Sequence, residues 1–156
     1  MAIGRSVLFR GVGTGGPVSK ANVDVIRSIY DAFAAGDVGG VLGGMSPDIV
    51  WNEAEHNAYA DGNPYIGPEA VANGVFARCI GEWDGFRVVV EELVDAGDTV
   101  VMVGRYGGIF KRTGRAQNTQ IVHIWRVAGG KAVRFQQHAD TLHLAHVMGL
   151  RVDAGA

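Results

Sequence analysis

The sequence predicts an α+β domain in which helices come first and a curved antiparallel sheet follows, with an interior pocket between them. Three observations lead there. The first part of the chain places apolar residues at helical spacing. Beyond Gly85 the period changes to strand alternation interrupted by turns. Finally, polar chemistry sits on strand faces that are otherwise apolar. Ile49, Trp51 and Glu53 alternate along one short strand, Ile121, His123 and Trp125 along a later one, and Val133, Phe135 and Gln137 along the next. Side chains two apart on a strand share a face. Unpaired buried polar groups are costly, so an apolar face that admits Glu, His and Gln lines a cavity more readily than a solid core.

The elements follow in order. Ser19 can cap a first helix whose apolar face carries Val23, Ile26, Ile29, Tyr30 and Phe33. Gly36 ends it, and Asp37 can cap a second helix through Met45. Gly39, Gly40, Gly43 and Gly44 give that helix poor propensity, so packing must hold it. Pro47 stops it, ahead of the strand Ile49–Glu53. A loop from Ala54 to Ile66 carries His56, Tyr59, Asp61, Gly62 and Tyr65, and is either a binding loop or a surface excursion. Gly67-Pro68-Glu69 opens a third helix, with proline in the first turn and an acid at the positive end. Val71, Val75, Phe76, Cys79 and Ile80 form its apolar stripe.

Two hairpins come next. Phe86–Val94 and Thr99–Tyr106 flank a turn at 95–98, and Gly107-Gly108 suggests a bulge or bend before Ile109-Phe110. Ala116–Val127 and Lys131–Ala139 form the second hairpin. A three-residue turn at Ala128-Gly129-Gly130 pairs Trp125 with Val133, His123 with Phe135 and Ile121 with Gln137. A four-residue turn aligns His123 with Gln136 and exchanges the faces. Asp140 or Thr141 starts a last short helix that ends near Gly149.

Length and composition bound the function. At 156 residues, 47% hydrophobic and 19% charged, the chain suits one globular domain. Residues 1–18 read as an N-terminal tail, 19–149 as the domain and 150–156 as a C-terminal tail. The net charge of -2, without a basic block, argues against nucleic acid as a partner. No apolar run reaches the length of a membrane span, so no membrane partner is expected. The lone Cys79 excludes an internal disulfide and suits a reducing, cytoplasmic setting. Gly11-Val12-Gly13-Thr14-Gly15-Gly16 matches G-x-G-x-x-G, with Asp37 about 20 residues on. A dinucleotide site needs parallel βαβ units, and this chain reads as antiparallel hairpins, so no cofactor is expected.

Several segments carry a family likeness: Ile29-Tyr30-Asp31-Ala32-Phe33-Ala34-Ala35-Gly36-Asp37, Pro47-Asp48-Ile49-Val50-Trp51, Tyr65-Ile66-Gly67-Pro68-Glu69-Ala70-Val71, His123-Ile124-Trp125-Arg126-Val127 with Gly130-Lys131, and Gln136-Gln137-His138-Ala139-Asp140-Thr141. In this order and spacing they resemble the nuclear transport factor 2-like superfamily, and within it the SnoaL-like polyketide cyclase and ketosteroid isomerase group. The resemblance implies a cone, with a bent sheet wrapped around helices, and a homodimer formed through the outer sheet face. It places Glu53 at the general base of a ketosteroid isomerase. The tyrosine position of that enzyme holds Ile29, with Tyr30 one residue off, and its aspartate position holds His123. Asp140, in the closing Asp140-Thr141, matches an acid/base aspartate of the SnoaL-like cyclases.

The candidate catalytic residues are therefore Glu53, His123 and Asp140. Glu53 is either a proton-transfer group whose pKa rises beside Trp51, or a rim glutamate. His123 either polarises a developing oxyanion or is a core histidine satisfied by a neighbour. Asp140 is an acid/base at the pocket mouth, a helix cap, or both. Tyr30, Phe33, Trp51, His56, Met102, Trp125, Phe135 and Gln137 are the candidate ligand-pocket residues, although aromatics at such spacing also pack as core. His143 and His146 share a helix face near His138, but no carboxylate or cysteine completes a motif, so no metal is expected. Gly-x-Ser-x-Gly is absent and Cys79 lies on a helix stripe, which leaves no nucleophile. The expected function is binding of a small apolar or aromatic molecule, with cofactor-free isomerisation, cyclisation or hydration/hydrolysis. The alternative is a binding or dimerisation module without chemistry.

Overall fold

Helix α1 (Pro17–Ala34) sets the floor of the molecule because Ile26, Ile29 and Tyr30 fall on one buried stripe. The computed structural model describes residues 17–152, so the glycine motif at 11–16 lies outside the described residues. The helix begins at Pro17, two residues before the expected cap Ser19, as suits proline in a first turn. Pro17 and Val18 thus belong to the helix rather than to a tail. Asp37 caps α2 (Val38–Gly43) by accepting from the Gly40 N–H at 2.9 Å. That helix is shorter than its sequence pattern suggests, because β1 (Met45–Asn52) already takes up Met45 and runs through Pro47. A short 3-10 turn (Ala60–Gly62) and β2 (Tyr65–Ile66) give the following loop structure of its own.

The third predicted helix is broken into α3 (Pro68–Val71), one π turn (Ala72–Phe76) and α4 (Ala77–Glu82). A π turn holds an extra residue and rotates the helix beyond it, a feature frequent at functional sites. Here it turns Val75 and Cys79 inward and leaves Ile80 62% exposed, contrary to the stripe read from the sequence. Gly74 in this turn is a packing necessity: a Cβ there would lie 2.1 Å from the Tyr65 ring.

Strands β3 (Trp83–Ala96), β4 (Thr99–Phe110), β5 (Arg115–Ala128) and β6 (Lys131–Ala139) follow, and α5 (Thr141–Met148) closes the fold. The sheet order is β2-β1-β6-β5-β4-β3. All neighbours are antiparallel except β1 and β6, which run parallel, so the sheet is mixed. A parallel pair needs a long crossover, and here everything from the loop after β1 through β5 supplies it. The bulge or bend expected at Gly107-Gly108 is a bulge in the β3–β4 pairing. Strand β4 continues through the pair with Gly108 at φ 138°, and the irregularity in pairing falls opposite, between Asp84 and Arg87 on β3.

The β5–β6 hairpin adopts neither the three-residue nor the four-residue turn. Gly129 and Gly130, at φ 56° and 73°, form a two-residue turn that pairs Ala128 with Lys131. A one-residue bulge beyond Ala132 then moves the pairing, so Trp125 meets Phe135 and His123 meets Gln137. Turn and bulge together keep Trp125, His123, Phe135 and Gln137 on the buried face, and each of the four is at most 4% exposed. The core between this face and the helices is aromatic: Trp51 stacks on Phe135 at 3.6 Å between ring centroids, and Trp125 meets both edge-on.

Phe135 is fully buried at the centre of this cluster. Replacing it with alanine is expected to cost about 3–5 kcal/mol in urea denaturation. A loss under about 1 kcal/mol would mean that the cluster is not the keystone of the sheet.

Candidate functional site

Between α1, the π turn and the concave sheet face lies a cavity lined by Tyr30, Phe33, Trp51, Glu53, Trp125 and Gln137, among others. It leaves about 60 Å3 to the centres of water molecules. That is room for roughly four to six waters. The lining is mostly apolar, and its polar groups are joined by hydrogen bonds.

Glu53 stands one residue beyond β1, where the alternation begun by Ile49 and Trp51 still points it inward, and it is 3% exposed. Its carboxylate accepts from Trp51 Nε1 at 2.7 Å and from Asn57 Nδ2 at 3.1 Å. Burial pushes its pKa up to about 7, although the Trp51 hydrogen bond holds the rise back. The carboxyl is therefore close to half-protonated at neutral pH. Asn63 fixes the backbone here, accepting from Glu53 N–H and donating to Glu53 C=O, each at 2.9 Å.

The second polar feature is a chain of hydrogen bonds across the sheet. Trp125 Nε1 donates to Tyr30 Oη at 2.8 Å, and Tyr30 Oη meets His123 Nδ1 at 2.7 Å. On the other side of the ring, His123 Nε2 meets Tyr106 Oη at 2.7 Å. Gln137 Nε2 donates to Tyr106 Oη at 2.8 Å, while Gln137 Oε1 accepts from Ala54 N–H and from Asn57 Nδ2. Since Asn57 also donates to Glu53, the line is continuous from the indole of Trp125 to the carboxylate. Burial drives His123 down to about 3, so its imidazole is neutral, and raises both tyrosines above the ordinary phenol range.

The loop from Ala54 supports this side of the cavity. Tyr65 Oη donates to Tyr59 C=O at 2.7 Å, and Arg78 binds both Asp61 oxygens while its guanidinium lies 4.2 Å above the Tyr59 ring. Tyr59 in turn donates to Glu82 and accepts from Trp83 Nε1.

Glu53, His123, Tyr30, Phe33, Trp51, Trp125 and Gln137 all line one cavity. The other four expected site residues lie elsewhere. Asp140 is exposed and caps α5, accepting from the His143 N–H at 3.0 Å. His56 is exposed at φ 64°, because the tight turn after Ala54 swings it outward and brings Asn57 in instead. Met102 is fully buried but lies off the lining, beside His123 in the β4–β5 ladder. Phe135 sits behind Trp51 and does not reach the lining. Reading the sequence alone missed Tyr106, Asn57, Tyr59 and Trp83 as lining residues. The signal for Tyr106 was present, since Val100, Met102, Gly104 and Tyr106 alternate on one face of β4. Among the described residues, no group of three or more His, Cys, Asp or Glu side chains could hold a metal ion. No helix among them is long and apolar enough to cross a membrane.

Comparison with known proteins agrees with this geometry. The SnoaL-like domain family matches residues 26–135. An NTF2-like protein from Burkholderia thailandensis E264 is 35% identical, covering 81% of this chain and 96% of its own, with a TM-score of 0.78. TerC, crystallised with polyporic acid, is 28% identical over 83% of this chain and 98% of its own, at a TM-score of 0.75. IdmH from Streptomyces antibioticus, a candidate polyketide cyclase, is 22% identical over 83% of this chain and 99% of its own, at a TM-score of 0.68. None of the curated proteins matches.

Two of the buried titratable groups, Glu53 and His123, pull stability in opposite directions. Glu53 binds its proton more tightly in the folded state, so its contribution is full below pH 4.5 and is lost as pH rises through about 7. His123 resists protonation in the fold, so its contribution is full above 6.5 and is lost as pH falls toward about 3. Between these limits the two slopes offset each other. Glu53→Gln is expected to remove one of them. Its stability relative to the parent should climb by up to about 1.4 kcal/mol per pH unit from 4.5 to 7 in denaturant titrations. A difference that stays flat with pH would show that Glu53 is not a high-pKa carboxyl.

Proposed function

Because the chain belongs to the SnoaL-like domain family, we propose that its cavity binds a small, largely aromatic carbonyl compound and moves a proton on it without a cofactor. The observation that carries this reading is the Glu53 carboxyl, brought to about pKa 7 by burial and opening into a largely apolar cavity. A general base is most useful with its pKa near the working pH, where it is partly ionised yet still basic. Glu53 would remove a proton from carbon next to a carbonyl. The phenol–imidazole chain would donate a hydrogen bond to the oxygen on which charge collects. His123 acts inside that chain as the group that orients the phenols. Asp140 serves as a helix cap and takes no part.

The enclosed, largely apolar volume suits a small ligand. The co-crystallisation of TerC with polyporic acid supports an aromatic ligand class. A second reading, binding without chemistry, draws on the fact that both Glu53 oxygens already accept hydrogen bonds. Deuterium exchange separates the two. In D2O the protein should accelerate exchange of the acidic C–H of small aryl ketones. Glu53→Gln should lower that rate by about 10²–10⁴-fold and His123→Ala should lower it less. Asp140→Asn should leave it unchanged. Ligand-induced thermal stabilisation with no exchange above background would favour the binding module.

A further inference from the structure

The hydrogen-bond chain through His123 can be counted proton by proton. Five groups stand in a row: Trp125 Nε1, Tyr30 Oη, the His123 ring, Tyr106 Oη and Gln137 Nε2. Four contacts join them, and each contact takes one proton. Both ends are fixed as donors. An indole N–H can only donate. Gln137 must turn Nε2 toward Tyr106, because its Oε1 takes the backbone N–H of Ala54 at 3.1 Å. A neutral imidazole brings one N–H, and each phenol brings one O–H. With the indole and amide protons, that makes five protons for four contacts.

The surplus proton can only sit on a phenol. If Nε2 carries the imidazole proton, Tyr30 donates to Nδ1, and Tyr106 accepts from both His123 and Gln137. The Tyr106 O–H is then free. If Nδ1 carries it, Tyr30 accepts from both Trp125 and His123, Tyr106 donates to Nε2, and the Tyr30 O–H is free. Both phenols line the cavity, so in either state the spare O–H has only the cavity to serve.

We propose that the site presents a single phenol donor, shared between Tyr30 and Tyr106 and assigned to one of them by the His123 tautomer, and that it therefore takes a ligand through a single acceptor oxygen. The exchange is a closed relay. Tyr30 gives its proton to Nδ1, Nε2 gives its proton to Tyr106, and the spare Tyr106 proton crosses the cavity, by way of water or a ligand oxygen, to Tyr30. Protons balance and no net charge moves. The consequence is specificity with tolerance. One carbonyl or hydroxyl acceptor is satisfied in either of two positions, whereas a second acceptor directed at the other phenol finds none.

This rests on the cavity being the ligand site, but not on catalysis, and its test reads binding. Acetophenone is the probe and ethylbenzene its apolar match. Infrared spectra of bound acetophenone should show one carbonyl band at the shift of a single hydrogen bond, and 15N NMR should show His123 neutral at pH 6 with one N–H. Tyr30→Phe should keep the band and fix the proton on Nε2, while Tyr106→Phe should keep it and fix the proton on Nδ1. The double variant should lose the band and reduce the preference for acetophenone over ethylbenzene by about three- to tenfold. A doubly bonded carbonyl in the parent protein, a protonated His123 at pH 6, or loss of the band in only one folded single variant would each overturn the proposal. Should the variants fail to fold, the parent spectra alone decide. If Glu53 proves not to exchange protons while the single band persists, the catalytic reading fails and this one stands.

Discussion

The structure depends on a constraint of burial: an imidazole, two phenols, an amide and a carboxylate are enclosed almost entirely away from solvent. Polar groups in such a place must find partners or cost roughly 1–3 kcal/mol each. Here they find them in one another, in a line from Trp125 to Glu53. That line crosses three strands and the loop after β1, so it ties sheet curvature, hairpin register and loop conformation into one arrangement. The single buried side-chain atom left unpaired among the described residues, Gln117 Nε2, belongs to another part of β5.

The line also divides the chemistry. At one end the environment favours uncharged groups: His123 is neutral and the phenols keep their protons. At the other, one carboxyl is carried to the edge of ionisation at neutral pH. Burial acts on both ends, and its sign differs because the charged form of a carboxyl is the deprotonated one and that of an imidazole the protonated one. A neutral donor array joined through Gln137 and Asn57 to a half-ionised carboxyl is the polarity that the proposed proton transfer at carbon requires. The same arrangement can hold a ligand without reacting, since one fold hosts many functions.

The aromatic cluster gives this polar line a rigid frame. Trp51 serves both systems, stacking on Phe135 while its N–H reaches Glu53. Trp125 does likewise, packing on Trp51 and Phe135 while its N–H reaches Tyr30. An indole has an apolar body and one directional donor, so it can belong to the core and to the site together. Around them the π turn and the loop after β1 close the cavity, held by Tyr65 against Gly74 and by Arg78 against Asp61.

Local pattern was enough for much of this. The α+β order, the helix around Tyr30, the cap at Asp37, the last helix from Thr141 and the inward faces of Glu53, His123, Trp125 and Gln137 follow from periodicity and turn residues, which act between near neighbours. Features that depended on distant contacts were decided only by the tertiary structure. The parallel β1–β6 pairing joins segments far apart in the chain, and a bulge beyond Ala132 set the hairpin register where turn length alone gave two wrong answers. The π turn exposed Ile80, His56 was turned out as Asn57 was turned in, and Tyr106 was brought to His123 from another strand. Asp140 and Phe135 show the same limit from the other side. Residue type and spacing suited both to the site, but only packing settles whether a side chain lines a cavity, caps a helix or stands behind a neighbour.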